Sequence, residues 1–310
     1  MIKKIYKAIK EGNLRNKAKV WLFQRKNKKY FNDDIKYLSK QFKFSLGYFP
    51  KIDDPKTFNE KLMWLKIYWR DERCYDLVDK FKVRNYVKEL GLEENLVPIY
   101  GVYDYWKDID FNLLPNEFVI KTTHGGGGTG VSIIYNKANK KQLKEAKNKI
   151  EHSLKSPVKN IYKEWVYDKT ERKIIIEKLL KNTDGSSIID YKFYCFSGKA
   201  YYILAATNRD VSVKFDYFDI NWNWLDLRQG GENNINRPEK PDNLGKMIKI
   251  AELLSGGFPH VRVDLYNING QIYFGELTFF DSAGNASFDP LYYDYEFGSY
   301  LKIEDVIRYK

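Results

Sequence analysis

The feature that most constrains this 310-residue chain is a two-stranded pattern near its end. The run His260-Val261-Arg262-Val263-Asp264-Leu265-Tyr266 is followed by Asn267-Ile268-Asn269-Gly270 and then by Gln271-Ile272-Tyr273-Phe274-Gly275-Glu276-Leu277-Thr278. Asn-Gly between apolar strand-like runs is the strongest short-range hairpin signal. Asp264 and Glu276 are equidistant from Gly270, and positions equidistant from a turn are cross-strand neighbours. Two acids are thereby expected close together on apolar strands. They repel unless a cation holds them or one is protonated. A hard divalent ion such as Mg²⁺ takes oxygen ligands of this kind and keeps positions open for phosphates.

A second feature lies far upstream. Phe118-Val119-Ile120-Lys121 leads into His124-Gly125-Gly126-Gly127-Gly128-Thr129-Gly130, and Val131-Ser132-Ile133-Ile134 returns. Strand, glycine loop, strand is neither the Walker A nor the Rossmann arrangement, because no helix follows directly. A glycine loop between strands still offers backbone N–H groups to phosphates, and Lys121 at the strand end adds a point charge. The competing reading is a solvent-exposed hairpin tip.

Composition limits the remaining choices. Hydrophobic residues make up 43% and aromatics 16% of the chain, enough for a real core. The net charge of +12 favours an anionic partner: nucleic acid, a membrane surface, an acidic polymer or a nucleotide. Cys74 and Cys195 are the only cysteines, which points to a reducing compartment rather than a disulfide framework. No apolar run approaches membrane-spanning length, and a cytoplasmic location is expected. Residues 1–30 are basic and amphipathic, with Trp21, Leu22 and Phe23 among lysines, a pattern that fits peripheral contact with an anionic membrane or a packed helix with a solvated face.

Along the chain, Thr57 with Glu60 three residues on reads as a helix start. Residues 73–91 read as one helix ended by Gly91. Strands are expected at Leu96–Tyr103, Glu117–Thr122, Val131–Tyr135, Lys173–Leu180, Ser187–Phe196, Ala200–Thr207 and Val211–Ile220, with helices at 138–154 and 242–255 and loop over 229–242 and 280–300. This is a mixed α+β order. Glu177 and Lys178 interrupt the apolar run Ile174-Ile175-Ile176 and read as a strand edge with polar contacts, or a strand end reaching solvent. Asp190 and Lys192 share one face of their strand. Lys192 suits a phosphate and Asp190 a ribose, unless the two form only an ion pair of little weight.

Taken together the chain resembles the ATP-grasp superfamily, and within it the TupA-like ATP-grasp family. The resemblance is carried by Asp54-Pro55-Lys56-Thr57-Phe58-Asn59-Glu60-Lys61, Asp79-Lys80-Phe81-Lys82-Val83-Arg84, Leu114–Lys121 with its glycine loop, Asp190-Tyr191-Lys192-Phe193, Arg262–Tyr266 and Phe274–Thr278. It implies an ATP-grasp fold, two α+β subdomains gripping ATP, with a basic helical extension. The implied division is 1–45 basic helical segment, 46–110 helical region, 111–180 first subdomain with the flap, and 181–310 second subdomain with the metal-binding hairpin. It also implies roles. Lys80 and Lys121 approach the nucleotide phosphates and 124–130 covers them. Glu177, Lys178 and Leu179 hold adenine, Asp190 the ribose, and Lys192 the γ-phosphate. Asp264 and Glu276 bind Mg²⁺, and Arg262 stabilises an acyl phosphate. The superfamily's usual Asn after the second acid is Thr278 here, which makes this third metal contact a departure.

The resemblance thus implies an ATP- and Mg²⁺-dependent carboxylate–amine ligase working through an acyl phosphate. The basic charge fits an acidic polysaccharide or lipid-linked sugar acceptor, such as a uronic acid of a capsular or other surface glycan, amidated with a small amine or amino acid. A glycan kinase on the same ATP site and a polysaccharide glycosyltransferase are the alternatives. Nucleic acid is not the expected partner, because the lysines are scattered rather than set in a reader motif.

Overall fold

The computed structural model describes residues 19–125, 130–156, 161–208 and 212–309. Residues 1–18 of the expected basic helix, and Gly126, Gly127, Gly128 and Thr129 of the glycine loop, lie outside the described residues. Residues 19–27 are helical and lead to α1 (Asp34–Leu46). Helix α2 (Phe58–Tyr68) opens on the expected capping box, Thr57 accepting from the Glu60 N–H and Glu60 from the Thr57 N–H. The Glu60 carboxylate also accepts from the Lys51 and Lys56 N–H groups at 3.0 and 2.9 Å. It thereby ties the preceding loop to the helix start.

The single helix expected over 73–91 is two, α3 (Arg73–Leu77) and α4 (Val83–Glu89). Asp79 divides them: its Oδ1 accepts from the N–H groups of Phe81 and Lys82, both at 2.9 Å. A short acidic side chain that captures nearby N–H groups competes with the helical ladder. The break leaves Lys80 in a turn, and its N–H reaches the Thr123 carbonyl at 2.9 Å.

Four strands form one antiparallel sheet. They are β1 (Ile99–Tyr103), β2 (Phe118–Thr122), β3 (Val131–Ile134) and β4 (Ile174–Glu177), in the order β1-β4-β2-β3. Helix α5 (Lys140–Lys155) covers one face, where Phe118, Ile120, Ile134, Ile174 and Ile176 meet Ala146 and Ile150. Period-two alternation then places Val119, Lys121, Ile175 and Glu177 on the opposite face. The expectation that Glu177 marks a sheet edge is corrected here: β4 lies between β1 and β2, and Glu177 is buried.

Six further strands form the second antiparallel sheet. These are β5 (Asp190–Phe196), β6 (Lys199–Thr207), β7 (Lys214–Asp219), β8 (Trp224–Leu225), β9 (His260–Ile268) and β10 (Gln271–Thr278), in the order β10-β9-β5-β6-β7-β8. Helix α6 (Leu244–Leu254) packs on β5, β6 and β9. Phe58 of α2 meets Tyr194, Phe196 and His260 edge-on, and Phe297 stacks on Tyr202 at 4.1 Å. Phe297 belongs to α7 (Tyr292–Tyr300), where loop was expected. Its aromatic-rich sequence has modest helix propensity; tertiary contacts hold it, among them Asp294 accepting from the Asn59 N–H and Nδ2 at 3.0 and 2.8 Å.

Cys74 and Cys195 are free and fully buried in the larger core. Burial pushes both thiols up, Cys195 to about 12. Among the described residues no helix is long and apolar enough to cross a membrane.

Candidate functional site

The site is built on one face of β5, β9 and β10, beyond the end that α2 and α7 cover. The hairpin turns at Asn269 and Gly270, whose φ angles of 49° and 86° are the positive pair that a two-residue type I′ turn requires. Gln271 pairs with Ile268 and Phe274 with Leu265. In that register Asp264 would oppose Gly275. A bulge after Phe274 shifts the ladder by one residue, and Glu276 opposes Asp264. The expected acid pair is therefore present, but the bulge delivers it rather than symmetry about Gly270. The core pattern slips with it, from Ile272 and Phe274 to Leu277 and Phe279.

The two acids differ in surroundings. The Asp264 side chain is 2% exposed, that of Glu276 40%. Arg262 grips Asp264 through Nε to Oδ1 at 2.7 Å and Nη2 to Oδ2 at 2.8 Å. Lys192 donates to the Asp264 Oδ2 and, at 2.7 Å, to the Asp190 Oδ2. Burial opposes the charge on Asp264, but Arg262 and Lys192 outweigh it and hold the carboxyl below the ordinary range. Burial likewise works against the Lys192 ammonium, and Asp264 and Asp190 reverse the outcome, raising its pKa. Arg262 also reaches the Thr278 Oγ1 at 3.2 Å and the Glu276 Oε1 at 3.5 Å.

Arg262 has a further partner that the sequence reading missed. Its Nη1 donates to the Oδ1 of Asp281, a buried acid that also accepts from the Tyr194 hydroxyl at 3.3 Å. Asp281 follows the buried pair Phe279-Phe280, so an acid closing an apolar run was the available signal. The loop expected over 280–300 carries no periodic pattern that would single it out.

The four-stranded sheet contributes the other wall. Lys121 pairs with Glu177 across β2 and β4. Lys80 is half-buried, and its Nζ donates to the Gly125 carbonyl at 2.5 Å. Burial lowers its pKa, with Glu276, Lys121, Asp79 and Glu177 the charges acting on it. Lys80 therefore stands where Lys121 and Glu177 of one sheet approach Glu276 of the other. His124 turns towards α5, its Nε2 3.2 Å from the Ser153 carbonyl, and burial lowers its pKa. Gly130 closes the loop, its carbonyl accepting from the Thr122 N–H at 2.9 Å. The Lys178 N–H donates to the Pro98 carbonyl at 2.9 Å, and Leu179 is half-buried beyond the strand end.

Asp264 and Glu276 supply hard oxygen donors, with the Thr278 hydroxyl 3.5 Å from Glu276 Oε1. Among the described residues no group of three or more His, Cys, Asp or Glu is arranged for a metal. Two carboxylates fit an ion such as Mg²⁺, which keeps several ligand positions for substrate phosphates and waters. The arrangement offers lysines on two walls, an arginine, and an acid pair opening at Glu276: the chemistry of a site for a polyanion and a hard cation.

A family model described as TupA-like ATPgrasp matches residues 60–302. No curated protein matches. Solved structures that resemble the chain include N5-carboxyaminoimidazole synthetase from Staphylococcus aureus complexed with ADP, at 18% identity and TM-score 0.41, covering 66% of this chain and 44% of that one. D-alanine–D-alanine ligase from Helicobacter pylori aligns at 14% identity and TM-score 0.41, covering 73% and 61%. The enzyme of the same name from Bacillus anthracis complexed with ATP aligns at 16% identity and TM-score 0.41, covering 66% and 55%. The chain spans about half the length of these structures.

Proposed function

Because the chain belongs to the TupA-like ATP-grasp family, we propose that it is an ATP-dependent carboxylate–amine ligase. In this reading it amidates a uronic acid of a surface polysaccharide with a small amine or amino acid. The observation that carries the proposal is the meeting of Lys80, Lys121 and Glu177 with Glu276, Asp264, Lys192 and Arg262 between the two sheets. Such a place accommodates a triphosphate between lysines from both walls.

Lys121 is held by Glu177 and Lys192 by Asp190 and Asp264, so these cations are positioned before any ligand arrives. In the proposed reaction a carboxylate oxygen attacks the γ-phosphorus and the bond to the β-phosphate oxygen breaks, giving ADP and an acyl phosphate. An amine then attacks the carbonyl, the C–O bond breaks, and phosphate and a proton leave. Lys121, Lys192 and Arg262 offset the negative charge on the transferring group. Asp264, Glu276 and the Thr278 hydroxyl would hold Mg²⁺, which when bound supplies charge neutralisation on the phosphates. The proposed adenine contacts are Glu177, Lys178 and Leu179, and Asp190 is the proposed ribose contact. The segment 124–130 is the proposed cover over the phosphates.

The test is incubation of the protein with ATP, Mg²⁺, a uronic-acid glycan and a panel of amines. ADP, free phosphate and an amide are expected together. ADP with a phosphate ester on the glycan would replace this reading with a kinase, and absence of ADP across the panel would overturn both.

A further inference from the structure

A cavity of about 820 Å³ lies away from the acid pair, between residues 21–37, the end of α2 and the segment 161–168. Its volume is within the range of small-molecule sites. Five cations line it, Arg25, Lys28, Lys66, Arg70 and Lys163, against the carboxylates of Asp34 and Asp168. Trp21, Phe31 and Trp165 add aromatic walls.

Arg70 is the informative member. It is half-buried over the Trp165 ring, 5.1 Å from its centroid. Its Nη1 donates to the carbonyls of Lys66 and Trp69 at 2.9 and 2.6 Å. The carboxylates of Asp34 and Asp168, in the same lining, act on its charge. Five cations against two carboxylates leave the lining with an excess of positive charge, and a half-buried guanidinium there is a ready partner for a planar or tetrahedral anion. Lys163, whose Nζ is 3.1 Å from Asp34 and 3.8 Å from the Phe31 ring centroid, has φ of 55°. A non-glycine residue held there is strained, as residues at binding sites often are.

The cavity backs onto the candidate active site. The Lys66 Nζ donates to the Ala283 carbonyl at 2.6 Å, in the same turn as Asp281, the partner of Arg262. Ile161, Lys163 and Trp165 face the cavity, whereas Tyr167 lies within reach of the charges of Glu276, Arg262 and Asp264. One short segment thus separates the two spaces.

We propose that this cavity binds the acceptor, a saccharide carrying a carboxylate or a phosphate besides the carboxylate that reacts, with that second anion on Arg70 and its rings against the aromatic walls. The inference rests on the ligase reading and names where its substrate is recognised. Arg70, Lys28 and Arg25 act as specificity residues, remote from the transferring phosphate.

Calorimetry with the full chain tests this. The probes are a uronic-acid trisaccharide, a hexose 1-phosphate, inorganic phosphate and a neutral trisaccharide, each with wild type, Arg70→Met and Lys28→Gln. At least one anionic saccharide is expected to bind about tenfold more tightly than the neutral one, and each substitution to remove about that factor. ATP affinity is expected to stay unchanged in both variants. The carboxylate and phosphate probes tell the two anion sources apart. Equal affinity for the neutral sugar, tighter binding of inorganic phosphate than of either anionic sugar, or unchanged affinity in both variants overturns the proposal. If Arg70→Met does not fold, Lys28→Gln, at an exposed position, decides. A wild type that binds ATP without preferring anionic sugars overturns this inference alone. One that prefers them without binding ATP supports the cavity and overturns the nucleotide reading.

Discussion

Asp264 and Glu276 face each other across a strand pair, yet the structure gives them different costs of loss. Asp264 is buried and satisfies both Arg262 and Lys192. Asp264→Asn would leave those cations under-compensated, and removing one partner of a buried charge pair costs about 3–5 kcal/mol. Glu276 is partly open, and its contacts with Arg262 and Thr278 are long. Glu276→Gln is expected to change stability by less than about 1 kcal/mol, as for a weakly paired, exposed carboxylate, while removing ATP turnover. Urea denaturation alongside ADP release checks both; a Glu276→Gln protein with full turnover would take Glu276 out of the proposed site.

Two buried residues near α7 make opposite pH demands. Burial raises Asp294 to about 6 and lowers His260 to about 3. Between about pH 4 and 6 the folded chain holds the Asp294 proton that the unfolded chain has released, so this contribution falls as pH rises. His260 works the other way: the unfolded chain takes up a proton that the folded chain refuses, and stability rises with pH over about 3–6.5. Each slope is at most about 1.4 kcal/mol per pH unit, and in the wild type they offset. Asp294→Asn is expected to expose the His260 slope, so that urea midpoints climb more steeply from pH 4 to 6 than in wild type. An unchanged profile would refute the assignment.

At the scale of elements, the hairpin bulge is the decisive device. A Cβ on Gly275 would sit 3.0 Å from the Asp264 carbonyl and 3.2 Å from the Tyr266 ring. Gly275→Ala is therefore expected to cost about 1–3 kcal/mol by overpacking, and to lower turnover more than a neutral surface change because the Asp264 backbone must shift. Urea midpoints and ADP release measure the two effects. Much of this element was legible: Asn269-Gly270 set the turn, and alternation set the strands. The bulge was legible only in the slip of the apolar phase from Phe274 to Leu277. Other elements escaped for physical reasons. Asp79 broke 73–91 into two helices through side-chain capture of N–H groups, which apolar spacing does not report. Helix α7 is held by Asn59 and the α2 interface, partners distant in sequence. Glu177 looked like an edge because strand order is not written in any one strand.

For the whole molecule, the candidate site is shared between two sheets with separate cores. Lys80 binds the Gly125 carbonyl while lying near Glu276, and a triphosphate spanning the two walls would couple them. ATP with Mg²⁺ at a hundredfold over its Kd should stabilise the fold by about 2.7 kcal/mol. Lys121→Ala should reduce that gain by weakening ATP binding. Thermal unfolding with and without nucleotide measures it, and an equal gain in the variant would remove Lys121 from the phosphate site.

Cys74 and Cys195 carry a practical consequence. Both thiols are hidden from solvent and held protonated by burial, so an alkylating reagent added to the folded protein meets no reactive sulfur until the chain opens. One sulfur rides on α3 and the other on β5, the strand that carries Lys192. The rates at which each acquires its label therefore time the opening of two regions of the protein, with no added probe. Nucleotide that slows the Cys195 label more than the Cys74 label would locate the tightening in the sheet itself.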